Sequence, residues 1–168
     1  MKKISIIIAI IILLPLGIAG GREGIDADSE YKFACSAYRA GNVEEAMNGF
    51  IGFLKEFPDD SRAGDAQFMI GECLFAKGRY KEAGKAFRKA ARGGVGRYDL
   101  YINSIYRLGE CEFNLGEYLD AIDNFQEVRK GKNRNLRGEA LYGIALCYLA
   151  IGEREKARDC LQELLLFY

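Results

Sequence analysis

The residues of this chain that are best suited to chemistry are its five cysteines, and no histidine accompanies them. Thiolates bind metals, form disulfides or act as nucleophiles, but a zinc site usually needs closely spaced cysteine pairs or added histidines. The chain has no Cys-x-x-Cys pair. Histidine is also the commonest general base, so a serine nucleophile would lack its usual partner. The composition therefore predicts a protein that is not an enzyme and that holds no metal or other cofactor.

A second candidate for chemistry is the glycine-rich stretch GGVGRY, from Gly93 to Tyr98. Such stretches hold phosphate when they follow a strand and end in lysine and a serine or threonine. This one follows a predicted helix and has neither residue. We interpret it as a loop that joins two structural units.

Composition and charge exclude two further classes. The chain has 24 basic and 24 acidic residues, a balance that gives no indication of nucleic acid as a partner. Apolar residues make up 49% of the 168 residues and only two are proline, so a folded domain is expected rather than a disordered chain.

One pattern recurs four times along the sequence. GECLFAKGRYKEAGKAF, at residues 71–87, returns as GECEFNLGEYLDAIDNF at 109–125, and weaker copies lie at 34–50 and 145–161. The central alanines of the copies are separated by 37, 38 and 36 residues; they are Ala46, Ala83, Ala121 and Ala157. Repeats of this length predict stacked units, each of which buries the apolar side of its neighbour.

Each copy is expected to form two helices. A glycine, which ends a helix cheaply in the left-handed conformation, follows the first helix of every copy, at Gly41, Gly78, Gly116 and Gly152. Small residues before the turn are predicted to face the central alanines, at Ala34, Gly71, Gly109 and Ala145. Large apolar residues then fill the space toward the next pair, at Phe50, Phe87, Phe125 and Leu161.

On these residues the chain resembles the tetratricopeptide repeat family. The family pattern of a small residue, a turn glycine, an aromatic residue, alanine and phenylalanine recurs, with Val43 and Arg154 in place of the aromatic residue in two copies. The resemblance implies an all-α fold, a right-handed superhelical solenoid of four helix pairs at residues 27–168. The expected repeats are about 27–60, 61–98, 99–135 and 136–168.

Residues 53–83 more narrowly resemble the exported bacterial branch of the family. That branch includes the periplasmic coordinator of the Tol–Pal envelope system and the lipoprotein of the outer-membrane β-barrel assembly machinery. The coordinator carries an N-terminal trimeric coiled coil, which this sequence does not show, and the lipoprotein needs a lipidated cysteine, absent between Leu16 and Gly24. The resemblance implies a cell-envelope protein without assigning either role.

The N-terminus agrees with export. Lys2 and Lys3 precede a run that is apolar from Ile4 to Leu16 except for Ser5, and small residues follow to Gly21. This pattern is typical of a secretory signal peptide, predicted at residues 1–21 and cleaved after Ala19 or Gly21. The alternative is a short inner-membrane anchor at residues 4–21 with the repeat domain outside.

Within the repeats, the cysteines occupy positions that normally hold small buried side chains. Cys73, Cys111 and Cys147 are equivalent, and we expect packing rather than disulfides, with Cys147 and Cys160 as the one pair in a shared repeat. Glu112 stands where the preceding repeat has inward-facing Leu74, so we expect an acid that either extends its carboxylate to solvent or pairs with a nearby arginine; a functional role is the remaining alternative.

The first helices should line a concave groove with aromatic and acidic side chains. Aromatic area rimmed by charge is typical of recognition surfaces, although packing between neighbouring helices explains the aromatic residues equally well. The predicted groove residues are Tyr31, Tyr38, Phe68, Glu72, Phe75, Tyr106, Glu110, Phe113 and Tyr142, with Leu149, Asp28, Asp65, Asn103 and Glu139 beside them. They favour a partner protein or peptide with apolar anchors and at least one basic residue.

Two alternatives to a groove-binding scaffold remain open. The chain could be a subunit of an envelope assembly complex, or it could bind an anionic membrane or cell-wall surface through a basic cluster formed by Arg88, Lys89, Arg92, Arg97, Arg129, Lys130, Lys132, Arg134 and Arg137. The C-terminal stretch LQELLLFY also predicts an apolar edge, at Leu164, Leu165, Phe167 and Tyr168, that could pair with another copy or fray.

Overall fold

A computed structural model describes residues 26–93 and 96–167, apart from the side chain of Phe167. The predicted signal segment and Tyr168 lie outside these residues. The described part contains eight α-helices and no strand. The helices are α1 Ala27–Arg39, α2 Val43–Glu56, α3 Ala63–Ala76, α4 Tyr80–Gly93, α5 Tyr98–Leu115, α6 Tyr118–Arg129, α7 Arg134–Ala150 and α8 Arg154–Phe167.

The helix ends follow from local chemistry. The four turn glycines all have positive φ angles, at 81°, 70°, 79° and 84° in chain order, which confirms the prediction that they end the first helix of each pair. At the N-terminus of α1, the Asp26 carboxylate accepts a hydrogen bond from the Ser29 amide at 2.8 Å. At the N-terminus of α7, the Asn133 side-chain oxygen accepts one from the Leu136 amide. Both caps satisfy a helix N–H group that has no partner within the helix.

The two helices of a pair approach closely because small residues meet at their contact. All four central alanines are fully buried, as are Ala34 and Ala145. The aromatic ring of Phe125 lies between two glycines: a Cβ atom added at Gly109 would be 2.8 Å from one edge of the ring, and one added at Gly143 would be 2.8 Å from the other. The phenylalanine thus joins the second helix of one pair to the first helix of the next.

Each helix packs against the next one along the chain, and the first helices of successive pairs also touch, α3 with α5 and α5 with α7. The core falls into two clusters, and α5 belongs to both: Leu108 and Cys111 join the cluster of α1–α4, while Ile102 joins the cluster of α6 and α7. This confirms the predicted all-α solenoid of helix pairs. None of the described helices has both the length and the hydropathy that crossing a bilayer requires.

The last helix leaves apolar side chains in solvent. Leu165 and Leu166 are 86% and 77% exposed, while Leu164 is half-buried. Of the predicted edge residues whose side chains the structure describes, Leu165 is exposed and Leu164 is not, and the exposed Leu166 was not predicted. Pairing with another copy through this edge stays a prediction.

Candidate functional site

The cysteines lie where the repeat register predicts them, within the helix contacts. Cys73, Cys111 and Cys147 are buried, whereas Cys35 and Cys160 are half-buried, and all five are free thiols. Burial raises the pKa of the Cys73 and Cys147 thiols to about 11 and that of Cys111 to about 12. A thiol that stays protonated at neutral pH is a poor nucleophile and a poor metal ligand. The three buried cysteines are therefore packing residues, as predicted.

We expect these three thiols to resist alkylation in the folded protein. At pH 8, iodoacetamide should label Cys35 and Cys160 first, because both are partly accessible, and should reach all five thiols only in denaturant. Peptide mass spectrometry of the labelled protein measures this. Fast native labelling of Cys73 or Cys111 would contradict the packing role.

Glu112 is buried, as its place in the repeat predicts, with 6% of its surface exposed. The Asn124 amide donates a hydrogen bond to Oε2 at 2.6 Å, and the Arg88 guanidinium lies 3.5 Å from Oε1. Burial raises the pKa of this carboxyl, and the hydrogen bond from Asn124 opposes that shift. An arginine is thus present at the limit of hydrogen-bonding distance, and the closer partner is an asparagine on α6 that was not predicted.

The predicted groove aromatics pack against the second helices in two recurring ways. In the first position, Phe68 meets Phe87 with ring centroids 5.2 Å apart, and Tyr106 meets Phe125 at 5.6 Å. Tyr31 packs in the same manner, 5.8 Å from the ring of Phe50. Edge-on and tilted ring contacts at these distances are favourable. Much of the predicted aromatic surface thus stabilises the helix pairs.

The second aromatic position contacts the beginning of the following helix. Phe75 lies 5.1 Å from Tyr80, and Phe113 lies 5.6 Å from Tyr118, both nearly edge to face. Tyr38, which precedes Val43 rather than an aromatic residue, is half-buried.

The fourth repeat departs from this packing and leaves its groove residues exposed. Tyr142 and Leu149, at the two aromatic positions, are each 49% exposed. The alignment of the repeats explains why both side chains are exposed. Where earlier repeats place a phenylalanine against the first aromatic position, the fourth has Leu161, and where they place a tyrosine against the second position, it has Arg154. The apolar side chains of the predicted groove are therefore most exposed at its C-terminal end.

Arginines whose ion pairs were not predicted connect successive repeats across the first helices. Arg62 donates to Asp28 at 3.0 Å and to Asp60 at 2.9 Å, and its guanidinium lies 5.0 Å from the centre of the Tyr31 ring. Arg97 makes a two-pronged ion pair with Asp65, with one nitrogen–oxygen distance of 2.9 Å. Acidic residues that were predicted beside the groove are thus partly neutralised within the chain.

Arg107 joins two predicted groove acids, Glu72 on α3 and Glu110 on its own helix α5. Its guanidinium donates two hydrogen bonds to the Glu72 carboxylate and a third to Glu110 at 2.7 Å, and it lies 4.8 Å from the centre of the Phe75 ring. Glu72 and Glu110, predicted as groove acids, therefore have a structural explanation that needs no ligand. In the sequence, the indication of this contact was the basic residue that immediately follows Tyr106.

An open pocket lies between α5 and α7 and brings together four of the nine predicted groove residues, together with Glu139. Its volume is about 310 Å³. Its lining consists of Tyr106, Glu110, Phe113, Asn114, Phe125, Glu139, Tyr142, Gly143 and Leu146. The other predicted residues lie further along the first helices, at the repeat boundaries toward the N-terminus. The pocket is apolar on its walls and carries two carboxylates, so it suits a ligand group with apolar surface and positive charge.

The predicted basic cluster is divided by ion pairs. Arg97 pairs with Asp65 on α3, Arg129 pairs with Glu163 on α8 at 2.6 and 2.7 Å, and Arg88 lies near Glu112. These arginines thus make ion pairs between helices, in addition to any role in binding an anionic surface. Within the described ranges, no group of three or more histidine, cysteine, aspartate or glutamate side chains has the arrangement of a metal site.

Comparisons with solved structures agree with this architecture. A structure described as MamA 41-end from Desulfovibrio magneticus RS-1 matches 84% of this chain and 75% of its own, with a TM-score of 0.71 and 19% identity. Another, titled crystal structure of MamA, matches 86% and 79% of the two chains, with a TM-score of 0.72 and 20% identity. A MamA AMB-1 structure matches 88% and 82%, with a TM-score of 0.68 and 21% identity. At these identities the likeness shows the fold alone.

The sequence comparisons name the repeat. No curated protein sequence matches the chain significantly. One tetratricopeptide repeat model matches residues 31–96, and a second matches residues 103–130 and 139–168, so that together they cover more than half of the chain. With four helix pairs, turn glycines at each joint and central alanines at each contact, the chain belongs to the tetratricopeptide repeat family.

Proposed function

We propose that this protein is a non-enzymatic scaffold that binds a partner protein or peptide along the concave side formed by its first helices. The observation that carries the proposal is the pocket between α5 and α7, where Tyr142 remains half-exposed beside Tyr106 and Phe113. Apolar side chains that remain accessible in a concave site are the usual anchoring points for a partner. Tetratricopeptide repeats in general bind proteins, which supports the same function.

The binding surface extends from this pocket along the groove. Towards the N-terminus the half-buried faces of Tyr31, Tyr38, Phe68 and Phe75 continue it, with Arg62 and Arg107 placed over two of these rings. A partner segment that runs along these helices would meet apolar anchors at the C-terminal end and paired charges further on. Such an alternation favours an extended or helical segment with apolar anchors and basic residues.

We further propose that the protein acts in the bacterial cell envelope. Support comes from the charged and apolar N-terminal pattern at residues 1–21 and from the likeness of residues 53–83 to the exported branch of the family. N-terminal sequencing of the protein from an envelope fraction tests this: a mature end near Gly20 or Arg22 supports cleavage, whereas an intact Met1 supports an anchor.

The groove proposal predicts that the double variant Tyr142→Ala, Leu149→Ala loses partner binding. Each truncation should cost about 1–3 kcal/mol of binding free energy if the side chain is an anchor. Both residues are half-exposed, so the fold should tolerate the change. Affinity purification from envelope extract with quantitative mass spectrometry identifies the partner, and calorimetry with that partner measures the loss.

The matched control is the double variant Tyr98→Ala, Leu119→Ala. It makes the same two truncations at side chains that are 46% and 68% exposed and do not line the pocket. This control should bind the partner normally. If both double variants bind alike while remaining folded, the partner uses another surface, and the basic cluster becomes the first to test by its salt dependence.

A further inference from the structure

The repeat register reveals a difference between two successive interfaces. Arg107 on α5 corresponds to Met69 in the preceding repeat and to Gly143 in the following one, at separations of 38 and 36 residues. At the α3–α5 interface, Arg107 bonds to Glu72 and stacks on Phe75. The corresponding residues at the α5–α7 interface are Glu110 and Phe113. The acceptors are thus repeated, while the arginine is replaced by a residue without a side chain.

The open pocket lies among the residues that correspond to Arg107 and to its acceptors. Glu110, Phe113 and Gly143 all line it, and Gly143 rests directly against the Phe125 ring. At the α3–α5 interface, the corresponding space is taken by the Arg107 guanidinium, stacked 4.8 Å from the centre of the Phe75 ring and bonded to Glu72. The protein therefore contains one filled and one open version of the same arrangement.

The charge of the open pocket agrees with a cationic occupant. No arginine or lysine is among its lining residues, whereas Glu110 and Glu139 both contribute carboxylates. Glu110 bonds to Arg107 through Oε2, and Glu139 lies exposed at the rim of the pocket. Burial raises the pKa of Tyr106, and the two nearby carboxylates raise it further, which places both charges close to the phenol.

We propose that this pocket receives an arginine side chain of the partner, which takes the place that Arg107 takes one interface earlier. A planar guanidinium stacks on an aromatic ring and donates paired hydrogen bonds to a carboxylate, a combination that the ammonium group of lysine cannot make. The proposal rests on the proposed function, since it names the chemistry of the partner at one point of the groove.

The probe for this pocket is N-acetyl-L-arginine amide, compared with N-acetyl-L-citrulline amide, which has nearly the same shape and no charge. Titrated into the ¹⁵N-labelled full chain, the arginine compound should shift the amide signals of Tyr142, Gly143 and Phe113. Its affinity should exceed that of the citrulline compound by about tenfold, because charged hydrogen bonds and stacking are lost in the latter.

The role of the pocket charge can be tested with a variant that reverses one charge at the rim. Glu139→Lys changes an exposed residue that lines the pocket, and the arginine compound should no longer shift these signals. The matched control Asp123→Lys makes the same charge change at an exposed position on α6 and should bind the compound as the parent protein does.

Three results would overturn the proposal: no shift at these amides, equal binding of the arginine and citrulline compounds, or equal binding by the Glu139→Lys and Asp123→Lys variants. These outcomes are distinct from a failure of the proposed function. If the Tyr142→Ala, Leu149→Ala variant loses its partner while the arginine compound does not bind, the scaffold function stands and the arginine pocket does not.

Discussion

Replacing Arg107 with methionine should lower the free energy of unfolding by about 3 kcal/mol, because the change leaves a largely buried carboxylate without its counter-charge. The Glu72 side chain is only 12% exposed and accepts two hydrogen bonds from Arg107, and Glu110 accepts a third. Methionine retains much of the length of the arginine stem, so that the loss reports on charge and hydrogen bonding more than on a cavity. Urea denaturation followed by circular dichroism measures the change.

Two further variants separate the possible causes. Glu72→Gln combined with Arg107→Met removes both charges, and this double variant should recover part of the lost stability, since no carboxylate is left buried alone. Arg79→Met breaks an exposed ion pair with Glu82 and should cost at most about 1 kcal/mol. If Arg107→Met and Arg79→Met have equal small effects, Arg107 does not hold the second and third repeats together.

The fold could be predicted from the sequence because its rules are local and are stated four times. A glycine with positive φ ends each first helix, and a buried alanine stands at each contact, so positions such as Gly116 and Ala121 define a helix pair almost without reference to the rest of the chain. Each copy provides the surface that the next one covers. Agreement among four copies compensates for the weakness of any one signal.

The candidate site could be predicted only in part, because exposure depends on what the neighbouring repeat supplies. Tyr106 and Tyr142 occupy equivalent positions in successive repeats. The first packs on Phe125, whereas the second is half-exposed, because its repeat has Leu161 in place of that phenylalanine. From the sequence of the first helices alone, the two positions are equivalent. Comparing the second helices as well as the first would have distinguished them.

The ion pairs between repeats were harder to anticipate. Glu72 and Glu110 were interpreted as charges directed at a ligand, because carboxylates in that position do not build an apolar core. Their partner, Arg107, lies 35 residues from Glu72 and occupies a register position that holds methionine in one neighbour and glycine in the other. A contact that occurs in a single interface has no repeated pattern to reveal it.

Adding one methyl group at Gly109 should lower the free energy of unfolding by about 2 kcal/mol, although alanine favours helix more than glycine does. The new Cβ atom would lie 2.8 Å from Cε1 of Phe125 and 3.0 Å from Cδ1, closer than carbon atoms normally approach. The Phe125 ring cannot retreat, because Gly143 closes its other edge. The steric cost therefore exceeds the gain in helix propensity, and chemical denaturation measures the net result.

The control for this prediction is a glycine with space around it. A Cβ atom at Gly52, inside α2, would meet nothing within 4 Å, so Gly52→Ala should stabilise the protein by about 0.5–1 kcal/mol through helix propensity alone. The fourth repeat suggests a rescue, because its register pairs Ala145 with Leu161 where the third pairs Gly109 with Phe125. Gly109→Ala with Phe125→Leu should therefore cost less than the sum of the two single changes. Stabilisation by Gly109→Ala alone would show that the contact between Gly109 and Phe125 does not determine how closely α5 and α6 approach.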